Sequence, residues 1–176
     1  MDAEKTEKTR VMLDLETLGK KPGAVIVAIG AVKFGRGEIQ SEFYTRVDAE
    51  SCERIGLTMD ASTVIWWLGQ SEPARNELLQ PGESILVALS LFSRWIGDPH
   101  AEIWGNGPLF DNGILVEAYD RAQIPRPWQH WNDRCYRTLK ALNPEFGRED
   151  EGIAHHALHD AKNQARHLMK IMGPLW

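Results

Sequence analysis

Val11-Met12-Leu13-Asp14-Leu15-Glu16-Thr17 is an apolar stretch with two acids near its end, and it predicts a buried β-strand whose successive side chains face opposite sides of a sheet. Asp14 and Glu16 then point the same way, about 6.6 Å apart along the backbone. Leu13 and Leu15 point the other way, into an apolar layer. Two partly buried acids are costly unless one is protonated or a cation lies between them, and hard divalent cations take carboxylate ligands. A solvated strand end would carry the same pair, so the interpretation depends on residues downstream.

The composition predicts one soluble globular domain. The chain has 176 residues, of which 43% are hydrophobic and 26% are charged, which is enough for a real core. Residues 1–10 are expected to be a disordered lead-in and residues 11–176 a single domain. The N-terminus has no apolar signal core, and no run approaches the length of a transmembrane helix. No membrane partner is therefore expected. Cys52 and Cys135 form no disulfide framework, which indicates reduced thiols in a cytoplasmic protein.

The net charge of −5 argues against one class of nucleic-acid binding. A protein that coats duplex nucleic acid regardless of sequence needs many phosphate contacts from lysine and arginine. An enzyme that binds one strand end is not excluded, because bound metal ions supply positive charge locally.

Hydrophobic periodicity predicts an α/β sandwich. Residues 24–32 form a nearly continuous apolar run, typical of a central strand buried on both faces. A turn at 35–37 leads into an alternating run at 39–47, which predicts a hairpin. One more strand is predicted at 101–106. Helices are predicted at 60–70, 84–96, 109–122, 134–142 and 157–172.

The helix predicted at 60–70 contains two adjacent tryptophans, Trp66 and Trp67. Neighbouring residues cannot share one face of a helix. Trp67 fits the apolar face and is expected in the core. Trp66 is then a surface aromatic residue, suited to stacking on a nucleic-acid base.

Further acids and a histidine follow Asp14 and Glu16 along the chain. Asp111 falls in the first turn of a helix that begins just after a strand ending at Asn106, where ligands gather in α/β sheets. An ordinary aspartate favoured by the helix dipole is the alternative. His155 lies at the end of a loop predicted to be mobile, and Asp160 lies in the opening turns of the last helix. A zinc site formed by His155 and His159 is a weaker alternative, because no cysteine or further histidine pair completes it nearby.

Three motifs thus follow one another along the chain: Asp14-Leu15-Glu16-Thr17, Asn106 with Asp111, and His155-x-x-x-x-Asp160. In this order and spacing they resemble the DEDDh family of 3′-to-5′ exonucleases, the group that includes the proofreading exonucleases, RNase T and oligoribonuclease. The resemblance covers residue 11 to about residue 172. Within the family, the helix at 60–70 and the segment Asn132-Asp133-Arg134-x-x-Arg137-Thr138 look most like the exoribonuclease-like subgroup of mycobacteria and phages, some of whose members are named exodeoxyribonuclease VIII.

The resemblance implies an RNase H-like fold, with a central mixed β-sheet of about five strands flanked by α-helices. It also implies hydrolysis of single-stranded RNA or DNA from the 3′ end, with release of nucleoside 5′-monophosphates, by two Mg²⁺ ions for which Mn²⁺ substitutes. Asp14 would bridge both ions, with Glu16 and Asp160 completing the first. Asp111 would hold the second through water. His155 would take the proton from the attacking water, which contributes about 10²–10⁴-fold to the rate.

Six residues are candidate substrate contacts by resemblance: Leu15 and Thr17 through their backbone, Leu18, Trp66 and Phe110 by wedging or stacking, and Asn106 by a polar contact. Arg134 and Arg137 either meet phosphates or pair within the fold. His156 and His159 are interpreted as structural or solvent-facing.

Several questions stay open at this point. The choice between RNA and DNA depends on one or two contacts at the 2′-hydroxyl, which periodicity does not reveal. A homodimer is one assembly that relatives adopt, and no self-complementary stripe decides it here. A non-catalytic nucleic-acid-binding module on the same fold is the alternative function. An aspartyl-nucleophile phosphohydrolase is a third reading, but nothing in the motifs demands covalent chemistry.

Overall fold

A computed structural model describes residues 8–107 and 109–173 of the chain. Within these residues the chain forms five strands and seven α-helices. The strands are β1 (Arg10–Thr17), β2 (Ile26–Phe34), β3 (Ile39–Arg46), β4 (Glu102–Gly105) and β5 (Asp133–Cys135). The helices are α1 (Ala49–Arg54), α2 (Ala61–Leu68), α3 (Glu72–Leu78), α4 (Ile85–Ile96), α5 (Asp111–Ala122), α6 (Tyr136–Leu142) and α7 (Ala157–Met172). None of these helices combines the length and the apolar character needed to cross a membrane.

The strands form one mixed sheet in the order β3-β2-β1-β4-β5. β1, β2 and β3 are antiparallel neighbours, and β2 and β3 form the predicted hairpin. β4 lies parallel to β1, and β5 lies parallel to β4. The sheet and its flanking helices confirm the predicted α/β class and the predicted number of about five strands.

Several boundaries differ from the sequence prediction, and three short elements were not predicted. β1 begins at Arg10, so the last residue of the lead-in predicted at 1–10 belongs to the sheet, while residues 1–7 lie outside the described residues. The helix predicted at 134–142 begins only at Tyr136, because Asp133–Cys135 pair with β4 at the sheet edge. A strand of three residues is too short to show alternation. The helices α1 and α3, of six and seven residues, are likewise shorter than the windows in which helical periodicity is recognised.

The sheet separates two hydrophobic cores. Val11, Leu13 and Leu15 of β1 pack into one core with residues of α4 and α5, whereas Met12 packs into the other with residues of α6 and α7. The alternation expected for β1 is therefore confirmed. Because side chains alternate along a strand, Asp14 continues the face of Met12, which α7 covers.

The first turn of α7 approaches the sheet very closely. A Cβ at Gly30 of β2 would overlap the backbone of Ala157 and Leu158, so a glycine is required there. Gly30 is paired with Asp14 across β1 and β2. The start of α7 is therefore held beside the acids of β1.

Candidate active site

Three carboxylates from the two ends of the chain meet between β1 and α7. One oxygen from each of Asp14, Glu16 and Asp160 lies within 4.8 Å of the other two. Glu16 is two residues beyond Asp14 on the same face of β1, and Asp160 lies in the first turn of α7. Carboxylate oxygens converging in this way are the ligands that Mg²⁺ and similar hard cations take, so the residues present fit a divalent metal.

Asp111, the fourth predicted acid, lies next to this group but outside it. It begins α5 and is 1% exposed. Its Oδ1 accepts a hydrogen bond from the Leu15 backbone amide (3.1 Å), and its Oδ2 accepts one from the Asn106 backbone amide (2.8 Å). Asp111 thus ties the end of β1 to the end of β4. Its role as a metal ligand stays a prediction.

Gln164 is a buried residue of the site that the sequence analysis did not identify. Its Nε2 donates a hydrogen bond to Asp14 Oδ1 (2.6 Å), and its side chain is almost fully buried. It lies one helical turn after Asp160 and therefore on the same face of α7. The only sequence signal is a polar residue four positions after Asp160 on a face that the helix buries.

Burial and mutual repulsion raise the pKa values of these acids. The pKa of Asp14 lies well above its usual value, first because the carboxyl is buried and then because Asp111, Glu16 and Asp160 repel its charge. Burial followed by repulsion from Asp160 and Asp111 raises the pKa of Glu16 to about 8. Burial raises the pKa of Asp111 to about 6 despite its amide hydrogen bonds, and it also raises the pKa of Asp160. A bound cation would offset this repulsion and favour the ionised carboxylates.

His155 lies beside the acids in an uncommon backbone conformation. Its φ is 61°, in the left-handed region that residues with a Cβ rarely occupy. Its backbone amide donates a hydrogen bond to Asp160 Oδ2 (3.1 Å). Its ring meets Trp66 edge-on at 4.9 Å between centroids and Trp67 at 6.1 Å.

The two tryptophans of α2 divide as predicted. Trp67 is 3% exposed, and its Nε1 donates a hydrogen bond to the Thr17 carbonyl (2.9 Å), which joins α2 to the end of β1. Trp66 is 44% exposed. Its ring is therefore available to a ligand on one side while it contacts His155 on the other.

A cavity of about 390 Å³ opens over the acids. Its lining includes Asp14, Glu16, His155 and Asp160 together with five predicted substrate contacts: Leu15, Thr17, Trp66, Asn106 and Phe110. Leu18 does not line it and packs against the core instead. Leu18 follows the last residue of β1, and its backbone amide donates a hydrogen bond to the Val25 carbonyl (2.9 Å). Its role in wedging between bases stays a prediction.

Four other residues of the cavity lining escaped the sequence analysis: Gly19, Lys20, Thr63 and Arg148. Lys20 is exposed and follows β1. Arg148 lies on the loop before His155, where its Nε and Nη2 donate to the two carboxylate oxygens of Asp150 at 2.7 Å. Both cations border a cavity whose floor is acidic. Neither belongs to a motif, so no pattern in the sequence marks them as part of the site.

The loop between α6 and α7 has no regular secondary structure, and its backbone is fixed to α7. Three side chains spaced four residues apart on α7 are buried or half-buried and hydrogen-bond the backbone of this loop. His167 bonds to Phe146, Asn163 to Glu151 and His159 to Ile153. His159 Nδ1 thus accepts a hydrogen bond from Ile153. The one group of candidate metal ligands found among the described residues does not contain a histidine, so the zinc alternative has no support.

The two arginines with open assignments differ in their surroundings. Arg134 donates from Nη2 to Glu102 Oε1 (3.1 Å), so it pairs within the fold. Arg137 is exposed on α6, on the side of Gly107. A phosphate could reach Arg137 directly, whereas it could reach Arg134 only by breaking the ion pair with Glu102.

Comparison with known proteins gives one matching family and several similar structures. The model of the 3'-5' exoribonuclease Rv2179c-like domain matches residues 9–172. Comparison with curated protein sequences gives no match.

Three solved structures illustrate the structural likeness. The nuclease domain of 3'hExo, a DEDDh family member bound to rAMP, is 12% identical at a TM-score of 0.68, with 98% of this chain and 95% of that chain covered. E. coli Exonuclease I in complex with a dT13 oligonucleotide is 15% identical at a TM-score of 0.69, with 94% and 41% covered, so this chain spans less than half of it. Exonuclease X in complex with 5' overhanging duplex DNA is 16% identical at a TM-score of 0.56, with 95% and 93% covered. At these identities the likeness confirms the predicted RNase H-like fold.

Proposed function

The chain belongs to the 3'-5' exoribonuclease Rv2179c-like domain family and is a 3′-to-5′ exonuclease, and we propose that it hydrolyses single-stranded RNA from the 3′ end with the help of divalent metal ions. One observation carries the proposal: Asp14, Glu16 and Asp160 bring carboxylate oxygens within 4.8 Å of one another in a cavity that His155 also lines. The products would be nucleoside 5′-monophosphates.

The acids would hold two Mg²⁺ or Mn²⁺ ions. Asp14 is proposed as the shared ligand, with Glu16 and Asp160 beside it and Asp111 acting on the far side through water. When bound, such ions activate a water molecule and neutralise charge on the phosphodiester. Gln164 holds Asp14 Oδ1 by a hydrogen bond and so restricts the rotation of that carboxylate.

His155 is proposed as the general base. Its imidazole would accept a proton from the water whose oxygen bonds to phosphorus, while the bond from phosphorus to the 3′ oxygen of the preceding nucleotide breaks. The hydrogen bond from the His155 amide to Asp160 links the base to a proposed metal ligand at 3.1 Å. Such a link would keep the base close to the position of the attacking water.

The cavity lining supports a single strand as the substrate. Trp66 and Phe110 offer aromatic faces on which unpaired bases stack, and such stacking is tolerant of sequence. Lys20 borders the cavity and would offer positive charge to a phosphate, whereas Arg148, also in the lining, is paired with Asp150. RNA is the proposed substrate because the matching family is described as an exoribonuclease domain. The solved relatives include one bound to rAMP and two bound to DNA, so DNA is the comparison that the experiment requires.

The test uses RNA and DNA oligomers of one sequence, each labelled at the 5′ end. We expect a ladder that shortens from the 3′ end with Mg²⁺ or Mn²⁺, that disappears with EDTA, and that forms faster on RNA. The Asp14→Asn variant serves as the inactive control, because it removes the proposed shared ligand and keeps the side-chain size. A folded protein that binds both strands and cleaves neither would instead support the non-catalytic binding module.

A further inference from the structure

A column of three rings stands directly behind the proposed base. The ring of His156 lies between Tyr44 at 4.6 Å and His159 at 4.1 Å, with interplanar angles of 21° and 18°. Tyr44 belongs to β3 and His159 to α7, so the column crosses from the sheet to the last helix. We call Tyr44, His156 and His159 the ring column. None of the three lines the cavity described over the acids.

Both ends of the ring column are fixed by hydrogen bonds. Tyr44 donates from its hydroxyl to Glu77 Oε2 (2.9 Å), and Arg46 Nη2 donates to the same oxygen (2.7 Å). At the other end, His159 Nδ1 accepts a hydrogen bond from the Ile153 amide (3.0 Å). The column therefore joins β3, α3, the loop before His155 and α7.

His156 itself is held by its ring faces. Its side chain is 11% exposed, and its Nε2 lies 3.8 Å from Glu77 Oε2, beyond hydrogen-bond distance. Its Nδ1 is buried and has no hydrogen-bond partner among the described residues. A ring without nitrogens could therefore keep the two stacking contacts, although it would lose the electrostatic contact with Glu77.

The ring column adjoins a residue with an uncommon backbone conformation. His155 has a φ of 61°, a conformation that persists only where the surroundings impose it. On one side its amide is bonded to Asp160, and on the other side the chain passes at once into His156. Beyond His156, the backbone of Ala157 rests against Gly30 of the sheet. These anchors leave the His155 backbone little freedom to rotate.

We propose that His156 is a positioning residue for the exonuclease reaction. By stacking between Tyr44 and His159, it holds the left-handed backbone of His155 and thereby directs the His155 imidazole toward the cavity. His156 touches no substrate in this role and acts only through His155. The inference rests on the proposed function, in which His155 is the general base.

The test compares His156→Ala with His156→Phe in steady-state cleavage of single-stranded RNA. We expect His156→Ala to lower kcat by about 10–100-fold with KM changed less than about twofold, because misplacing a catalytic group by about 1 Å costs up to about 10²-fold. His156→Phe keeps a flat ring in the column and should restore kcat to within about threefold of the unmodified protein. If His156→Phe is as slow as His156→Ala, stacking is not what His156 contributes, and the proposal is overturned.

A double-mutant cycle separates positioning from a general structural role. In the His155→Ala background, His156→Ala should cause no further loss of kcat, since a residue that acts only through another has nothing left to act on. Additive losses would overturn the proposal. If His156→Ala does not fold, Tyr44→Leu removes the other face of the column and Tyr44→Phe keeps it, and the same expectations apply to that pair.

The design also separates this inference from the function on which it rests. An unmodified protein that cleaves neither RNA nor DNA with Mg²⁺ or Mn²⁺ would overturn the exonuclease proposal itself. An active protein in which His155→Ala is slow and His156→Ala is as fast as the unmodified protein would overturn only the positioning role of His156.

Discussion

Two stripes of polar side chains run along α7 and contact different parts of the molecule. Asp160 and Gln164 face the acids of β1, whereas His159, Asn163 and His167 hold the backbone of the loop before His155. We call them the acid-facing stripe and the loop-facing stripe. The first gathers like charges and raises their pKa values, and the second satisfies neutral hydrogen bonds. One helix thus contributes Asp160 to the acid cluster and also holds the loop that leads to the proposed base, His155.

The largest effect is expected from Asp160→Asn in the acid-facing stripe. It removes a proposed metal ligand, so the rate should fall by about 10³-fold or more, on the scale seen when one member of a catalytic unit is lost. The asparagine oxygen can still accept the hydrogen bond from the His155 amide, so the fold should persist. Cleavage assays with Mg²⁺ titration measure the rate, and circular dichroism measures whether the fold persists. A near-normal rate would mean that the stripe does not bind metal.

The second-largest effect is expected at His155, whose amide is bonded to Asp160 and whose preceding loop is bonded to His159. His155→Ala should lower kcat by about 10²–10⁴-fold, because it removes the proposed base, and it should leave Mg²⁺ affinity unchanged. His155→Asn is the matched control, since asparagine tolerates the left-handed backbone and supplies no base. Equal rates for the two variants would assign the loss to the missing imidazole. A collapse of metal affinity would instead identify His155 as a ligand.

The sequence predicts the acid-facing stripe far better than the loop-facing one. Asp14, Glu16 and Asp160 are recoverable because carboxylates are few, strand and helix periods fix which way each points, and metal chemistry requires them to meet. Gln164 is 150 residues from its partner Asp14, and an amide in a helix carries no such signature. Leu18 lies just past the end of β1, where strand alternation no longer indicates which way a side chain points. Local pattern thus predicts where a side chain points only while the strand or helix stays regular.

A smaller and different effect is expected from the loop-facing stripe. Asn163 exchanges two hydrogen bonds with the backbone of Glu151 (3.0 and 3.3 Å) and is 3% exposed. Asn163→Ala should lower the free energy of unfolding by about 1–3 kcal/mol, because buried backbone groups lose their partner. Lys170→Ala, which removes an exposed ion pair with Glu149, is the control and should change it by less than about 1 kcal/mol. Urea unfolding measures both, and a loss of Mg²⁺ affinity in Asn163→Ala would show that the stripes are not independent.

The smallest effect is a fall in stability with rising pH that the acid-facing side should produce. Burial and repulsion raise the pKa of Glu16 from its ordinary 4.5 to about 8, and burial raises the pKa of Asp111 to about 6. A carboxyl whose pKa is raised by folding stabilises the folded state fully below its unfolded pKa, and this contribution is lost as pH rises through the folded pKa. Without metal, the melting temperature should therefore fall between about pH 4.5 and pH 8.

Two variants, followed by thermal melting in EDTA across the same pH range, locate the source of that slope. Glu16→Gln has no carboxyl to ionise at this position, so its melting temperature should fall less steeply than that of the unmodified protein. Asn163→Ala should have a lower melting temperature at every pH and keep the full slope, because the loop-facing stripe contains no carboxyl with a raised pKa. With saturating Mg²⁺ the slope should reverse in the unmodified protein, since the metal binds the ionised carboxylates and competes with protons for them. A slope unchanged in Glu16→Gln would mean that the pH dependence arises outside the acid cluster, and the contrast between the two stripes would then rest on geometry alone.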